Sequence, residues 1–321
     1  MKRKFVLALD IGGTSLKSAI ITSEGTMIKN SLTKVPIDSQ GPRQDIIDAL
    51  LRILKRQFNY ASKLGLDISG LGIASPGPAD YSRGIFLMKQ KFASLYGANL
   101  KDIIREGLNL SKKFPIIFEV DSWAFLRGEA WVGAAKGYKR VVGLTLGTGL
   151  GAAFMVDEQI VIEGPGVPPL GWVAILPFRG GVVEDFISRK WILSRYSELV
   201  KRKEPLDVKD IAILANRGQN EAIQVFRELG ENLAEILKPI LTDFRAECLI
   251  LGGQISKSIS LFKDPLKERL RHVASLKKIS RARLIMTAAL FGVSRMLFEN
   301  IKSPAWEIRP EEVLPKLGLK L

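Results

Sequence analysis

Apolar residues follow two rhythms along this chain, and the pair of rhythms occurs twice. Residues 4–10 carry a nearly unbroken apolar run, Phe5-Val6-Leu7-Ala8-Leu9, ending in Asp10, which predicts a buried strand. Residues 15–22 read as its hairpin partner. A turn at Ser23-Glu24-Gly25 leads to a third strand over 27–35. Over 43–64 the period lengthens: Ile46, Ile47, Leu50, Leu51, Leu54 and Phe58 share one helical face. A short buried strand over 71–74 is stopped by Ser75-Pro76-Gly77-Pro78. A helix over 100–108, a strand over 115–120 ending at Asp121, and a helix over 122–133 complete the first round.

The same order then returns. Strands are predicted over 141–146, 151–156 and 159–162. Helices follow over 183–201, 207–216 and 219–242, then a strand over 247–251 and a helix beginning at 256–261. Two such rounds predict two similarly built α/β lobes, residues 1–118 and 119–302. A last helix at about 286–300 is expected to pack back on the first lobe. Residues 303–321, with Pro304, Pro310 and Pro315, form a tail with no role assigned by the sequence.

Two turns on strand ends bear the first chemistry. Asp10-Ile11-Gly12-Gly13-Thr14 follows the first strand of the first round, and Thr145-Leu146-Gly147-Thr148-Gly149-Leu150-Gly151 follows that of the second. Backbone N–H groups in such turns can face a phosphate, and glycine admits it closely. A Gly-Gly hairpin is by itself ordinary, and Lys17 suits a phosphate contact and a solvent-facing strand equally well. The second turn is more specific, because a plain hairpin needs neither its three glycines nor its two threonines. One such turn in each half suggests a nucleotide held between two lobes, and so a phosphotransferase. Asp10 is placed to hold Mg²⁺ through water, while Thr14 and Lys17 are placed to meet phosphate oxygens. Asp121 suits a general base and a helix N-cap equally well on residue type alone. Gly252-Gly253, after a buried strand, would let an adenine or ribose lie against the backbone.

Composition narrows the setting. The 321 residues are 46% hydrophobic and 25% charged, which fits a globular chain with a sizeable core. No apolar run is long enough to span a bilayer, and the basic start runs into a strand, not a signal peptide. A cytoplasmic protein without a membrane partner is expected. The single cysteine, Cys248, excludes an internal disulfide and a cysteine-rich zinc cage. The net charge of +15 could attract nucleic acid. The densest basic stretch, 263–283, instead reads as a solvated helical face, and His272 within it has no catalytic role. Nucleic acid is not an expected partner.

Taken in order, Leu9 to Thr14, Ser75 to Pro78, Val120-Asp121, Gly128-Glu129 through Gly133, Leu144 to Gly151, Leu251 to Gly253 and Ala289 to Val293 resemble the ROK family of sugar kinases and related regulators. The resemblance covers roughly residues 4–300. It implies the two-lobed, actin-like ATPase (ribonuclease H-like) α/β fold, with mixed five-stranded sheets and an active site in the interlobe cleft. By the same resemblance Asp10, Gly12 and Thr14 serve the first phosphate loop, to which the reading of the residues themselves adds Gly13 and Lys17. Thr145, Gly147, Thr148 and Gly149 serve the second, Gly252 and Gly253 the adenosine site, and Asp121 is the catalytic base. ATP and Mg²⁺ are the implied cofactors, and a homodimer the implied assembly.

The departures concentrate on the substrate side, where the expected residues are Ser75, Pro76, Gly77, Lys91, Val120, Trp172, Ile175 and Glu184. Family members typically have Asn where Val120 stands. In the matching Gly171-Trp172-Val173-Ala174-Ile175, Trp172 replaces a Glu and Ile175 replaces a His. That histidine usually also binds zinc with a downstream cysteine loop. Residues 176–183 contain no cysteine, so no zinc site is expected. Glu184 matches a sugar-contacting Glu, and Lys91 stands where another contact is usually Asn. Trp and Ile offer no acceptors for sugar hydroxyls, although an indole can stack and donate once. The expected function is an ATP-dependent kinase acting on a hydroxyl of a sugar or sugar-like molecule, with Lys91 hinting at an acidic group. The alternatives are a non-catalytic sugar- or nucleotide-sensing regulator without a DNA-binding domain, since the first phosphate strand begins by Phe5, and a scaffold that binds ATP and transfers to nothing.

Overall fold

The computed structural model describes residues 4–201 and 206–309. They form two compact units, one running to Val132 and resuming at Thr287, the other spanning Gly133–Met286. The first unit begins with β1 (Phe5–Ile11), β2 (Ser15–Thr22), β3 (Thr33–Pro36), α1 (Arg43–Lys63) and β4 (Ile68–Ser75). A small hairpin of β5 (Ala79–Asp80) and β6 (Ile85–Phe86) follows, then α2 (Leu100–Gly107), β7 (Ile116–Val120) and α3 (Asp121–Val132). Its sheet has the order β3-β2-β1-β4-β7, with antiparallel pairs on the β3 side of β1 and parallel pairs on the β7 side. A strand with neighbours on both edges and cover on both faces must be apolar throughout. Val6 to Leu9 are accordingly buried without alternation.

The second unit repeats the plan with β8 (Arg140–Leu146), β9 (Leu150–Val156) and β10 (Gln159–Val161), followed by a hairpin of β11 (Pro177–Phe178) and β12 (Gly181–Val182). Four helices come next, α4 (Glu184–Ile187), α5 (Arg189–Val200), α6 (Val208–Asn216) and α7 (Asn220–Asp243), then β13 (Cys248–Gly252), α8 (Lys263–Leu270) and β14 (Lys278–Arg281). Its sheet order is β10-β9-β8-β13-β14, with the same sequence of antiparallel and parallel pairs. The repeated rhythm of the sequence is therefore a repeated topology.

The chain returns to the first unit as α9 (Ala288–Glu299), which packs on α3, β1 and β4. Leu290, Val293 and Met296 are buried there, each contributing roughly 1.5–3 kcal/mol by leaving water. Two glycines set the helix spacing. A methyl on Gly128 of α3 would overlap the Ala288 carbonyl, and one on Gly292 of α9 would overlap the Ala124 carbonyl.

Four expectations need correction. The boundary expected at 118/119 falls inside the first unit, because β7 hydrogen-bonds to β4 and carries α3 with it; Asp121 thus belongs to the first unit and not the second. The strand expected over 27–35 is only β3, since Asn30 takes a left-handed turn at φ 60° before it. The helix expected over 183–201 breaks at Ser188, whose hydroxyl accepts from the Trp191 N–H at 3.4 Å and caps α5. The basic stretch 263–283 is helix only through Leu270. Lys278–Arg281 then form the edge strand β14 beside β13, which burial on one edge makes possible despite the charges. Residues 310–321 of the tail, including Pro310 and Pro315, lie outside the described residues.

Candidate active site

Asp10 lies near the end of β1 with Lys17 directly opposite on β2, and the lysine Nζ is 2.6 Å from Asp10 Oδ2. The alternation of the hairpin puts both side chains on one face, so Lys17 is neither free in solvent nor far from the turn. The Gly12 N–H donates to Ser15 O at 3.0 Å and closes the first turn, and the Ile37 N–H donates to Thr14 O at 3.1 Å. A methyl built on Gly13 would meet nothing nearer than Ser39 Oγ at 3.8 Å, with Lys91 Cδ at 4.0 Å. The outer face of this turn is therefore open, with the exposed Lys91 side chain beside it.

The sheet delivers Asp121 to the same end as Asp10. Ser75 at the end of β4 pairs with Val120 at the end of β7, and α3 starts at the next residue. Its Oδ1 accepts the Ser122 N–H at 2.7 Å. Burial, and next the Asp10 charge, push the Asp121 carboxyl up to about 6, against the pull of the Ser122 N–H, Lys91 and Lys17. A carboxyl so tuned is mostly ionised at neutral pH yet remains basic enough to take a proton. Tyr81 carries no motif that marks it in the sequence. Its buried phenol donates to Ser75 O at 3.4 Å, and burial with the charges of Asp121 and Glu119 holds its pKa well above the ordinary phenolic value. The Ser75 hydroxyl is itself buried without a hydrogen-bond partner. Asp10, Gly13, Lys17, Lys91 and Asp121 thus come together in the first unit.

The second unit assembles its own cluster. The Gly147 N–H donates to Gly149 O at 3.0 Å within the second turn, and the Arg189 N–H donates to Gly147 O at 2.9 Å. Glu184 lies against Gly149, and its Oε2 accepts the Leu150 N–H at 2.7 Å. The contact this glutamate makes within its own unit is therefore with the turn backbone. Gly252 is the register partner of Thr145. Gly253 has φ +78°, and any Cβ there would overlap the backbone of Leu146; only glycine allows β13 to end so close to the turn. Thr145, Gly147, Gly149, Glu184, Gly252 and Gly253 are one neighbourhood, with Thr148 exposed at its tip. Trp172 and Ile175 lie apart from these bonds: Trp172 joins the one-turn segments Pro169–Gly171 and Val173–Ile175, which pack on β9, and Ile175 ends the second; both side chains are half-buried.

Two α/β units of one topology, each with a glycine-rich turn between its first two strands, define an internally duplicated protein. The chain belongs to the ROK family, whose sequence pattern matches residues 6–296. It is 24% identical over 326 residues to the glucokinase of Thermotoga maritima, covering 94% of this chain and 99% of that protein. To the N-acetyl-D-glucosamine kinase of Photobacterium profundum it is 22% identical, covering 91% and 98%. Among solved structures, a ROK family glucokinase from Streptomyces griseus in complex with glucose and AMPPNP superposes with a TM-score of 0.73 at 22% identity, covering 91% of this chain and 98% of that one. No helix among the described residues is long and apolar enough to cross a membrane.

Proposed function

We propose that the protein is an ATP-dependent kinase that phosphorylates a hydroxyl of a sugar or sugar-like acceptor, with Asp121 as the general base. The observation that carries this reading is the placement of Asp121. An ionisable carboxyl tuned to about 6 stands at the end of β7, within the field of Asp10, Lys17 and Lys91 and beside an open glycine turn. Its relatives named as glucokinase and N-acetyl-D-glucosamine kinase support a sugar acceptor without choosing between them, and the structure holding AMPPNP supports ATP as donor.

In this reading Asp121 accepts the proton of the attacking hydroxyl as the γ-phosphoryl group passes in line. The remaining work is positioning and charge neutralisation. The backbone of residues 12–14 and of residues 147–149 would cradle phosphates, Lys17 and Lys91 would offset developing negative charge, and Gly252 and Gly253 would bound the adenosine. Mg²⁺ fits the donor set, because Asp10 offers a hard carboxylate oxygen next to a second carboxylate whose ionisation a dication would ease. Asp10 would hold the ion through water, and the ion would neutralise phosphate charge. A cytoplasmic homodimer is the setting this family membership suggests. As acceptor-contacting residues, Val120 in the first unit and Trp172 and Ile175 in the second would each offer a sugar hydroxyl fewer partners than Asn, Glu and His would, and Glu184 is the carboxylate that remains.

The test is Mg-ATP turnover on hexoses, N-acetylhexosamines, polyols and sugar acids, with Asp121→Asn as control. Transfer to one class of acceptor, lost in the variant, is the expected result. Nucleotide binding with no transfer to any acceptor would overturn the reading. Lys91 gives a second check. Its charge lowers the Asp121 pKa, so Lys91→Met should slow turnover and move the acid limb of kcat/KM to higher pH. Preferential loss of turnover on sugar acids would assign Lys91 to an acidic acceptor group.

A further inference from the structure

Directly behind Asp121 lies a buried polar cluster that the chemistry above does not use. Glu119, two residues earlier on β7, is 0% exposed, and Arg127 on α3 is 1% exposed. The Arg127 Nε is 3.2 Å from Glu119 Oε2, while its two terminal nitrogens have no hydrogen-bond partner. The other carboxylate oxygen, Oε1, accepts the Val120 N–H at 2.9 Å and the Ser303 hydroxyl at 2.7 Å. Three residues further on, the Trp306 indole N–H donates to the Phe118 carbonyl at 2.7 Å. The turn Pro304–Trp306 fixes the spacing of the two donors, and Ser303 caps it by accepting from the Ala305 N–H at 3.1 Å.

The placement is specific in three ways. β7 is the edge strand of its sheet, so it lacks a neighbouring strand on one side among the described residues. The two bonds fall on Phe118 and Glu119, consecutive residues immediately ahead of Val120 and Asp121. The segment that makes them lies beyond residue 296, where the match to the family pattern ends. Burial lifts the Glu119 carboxyl above the ordinary range against the opposing pull of Arg127, Ser303 and the Val120 N–H. A fully buried carboxylate has no water to replace a donor, so it is sensitive to losing one.

We propose that the segment 303–306 is a positioning element for Asp121: the Ser303 hydroxyl on Glu119 and the Trp306 indole on Phe118 hold the end of β7, and through it the Asp121 carboxylate, in the place the candidate active site requires. Asp121 is the residue that feels the loss because it follows the clamped pair on the same strand end. Its field comes from Asp10 on β1, Lys17 on β2, Lys91 in the loop after β6, Tyr81 after β5 and the Ser122 N–H of α3. An untethered strand end would let the carboxyl turn toward solvent and away from Asp10, and its pKa would fall toward the ordinary aspartate value. Ser303 is buried, and both donors are spent on β7, so their role is positional.

The inference rests on the reading of Asp121 as base only for its effect on activity, and the experiment separates the two. The Asp121 carboxyl is titrated by ¹³C NMR in the full chain, in the isosteric pair Ser303→Thr and Ser303→Val, and in Trp306→Phe. The Thr variant keeps the hydroxyl and should keep the midpoint, while the Val and Phe variants should lower it by about half a unit or more. In kinetics on the acceptor found above, Ser303→Val and Trp306→Phe should lower kcat about tenfold with the KM for ATP little changed. Unchanged midpoints in both Ser303→Val and Trp306→Phe, with only a lower Tm, would overturn the proposal and leave the segment a structural strap. If Asp121→Asn keeps its activity, the base assignment falls, while the titration still decides the positioning claim. Should Ser303→Val fail to fold, Trp306→Phe carries the test alone.

Discussion

Replacing Asp121 with Asn is expected to make the protein less active and more stable at once. As general base the carboxylate should be worth about 10²–10⁴-fold in kcat. The amide keeps the shape and can still accept the Ser122 N–H, so the KM for ATP should change little. Wild-type kcat/KM should carry an acid limb with a midpoint near 6, from Asp121 in the free protein, and the variant should have no such limb. The stability effect follows from the same shift. Unfolded, the carboxyl ionises near its ordinary value of 3.8; folded, it ionises at about 6. Between those values the folded state binds more protons, so stability declines as pH rises through the window, and the full penalty is present above it. Allowing for the partial exposure of Asp121, the penalty is on the order of 2 kcal/mol. Urea denaturation at pH 7.5 should therefore find Asp121→Asn the more stable protein, and at pH 4 the two should converge. Equal stability at both values would show that the carboxyl is not perturbed. Full activity in the variant would remove it from the chemistry.

The parts of this site legible in the sequence are those encoded locally. Asp10 and Lys17 sit seven residues apart across a tight hairpin, so strand alternation alone brings them to one face. The second turn and Gly252-Gly253 are recognisable because strand ends that approach closely leave glycine as the residue that fits. What the sequence hides is set by partners far along the chain. Lys278–Arg281 have the charge of a solvent face, and they become strand only because the apolar β13 offers an edge. The boundary between units is hidden for the same reason. Residues 115–133 follow the first round without a break in composition, and only the pairing of β7 with β4 assigns them. Arg127 looks like a helix-surface arginine until Glu119 is found opposite it in the interior. The signal available was a lone glutamate inside the apolar run 116–120, which asks for a buried cation. Ser303 and Trp306 had no local signal, since their partners lie more than 180 residues away.

Glycine substitutions should separate architecture from phosphate handling, with opposite outcomes at residues of one type. At Gly292 the Cβ of alanine would overlap the Ala124 carbonyl, and at Gly128 it would overlap that of Ala288. Backbone cannot yield as a side chain can, so α3 and α9 must move apart. Overpacking of this kind costs about 1–3 kcal/mol in a side-chain core and more against backbone. Gly292→Ala and Gly128→Ala should therefore lower the Tm by many degrees or abolish folding. At Gly13 the same methyl finds its nearest atom at 3.8 Å, and at Gly147 at 4.0 Å. Neither position needs a left-handed backbone, so Gly13→Ala and Gly147→Ala should fold with a Tm near that of the wild type. Their methyls would instead project into the space where phosphate oxygens are to lie against the turns. Loss of close backbone approach there should raise the KM for ATP about tenfold or more, because charge-assisted N–H bonds weaken steeply with distance. A pair of alanine variants that fold normally and bind ATP normally would show that these turns do not hold the phosphates. A Gly292→Ala protein as stable as the wild type would show that the α3–α9 crossing is looser than its geometry states.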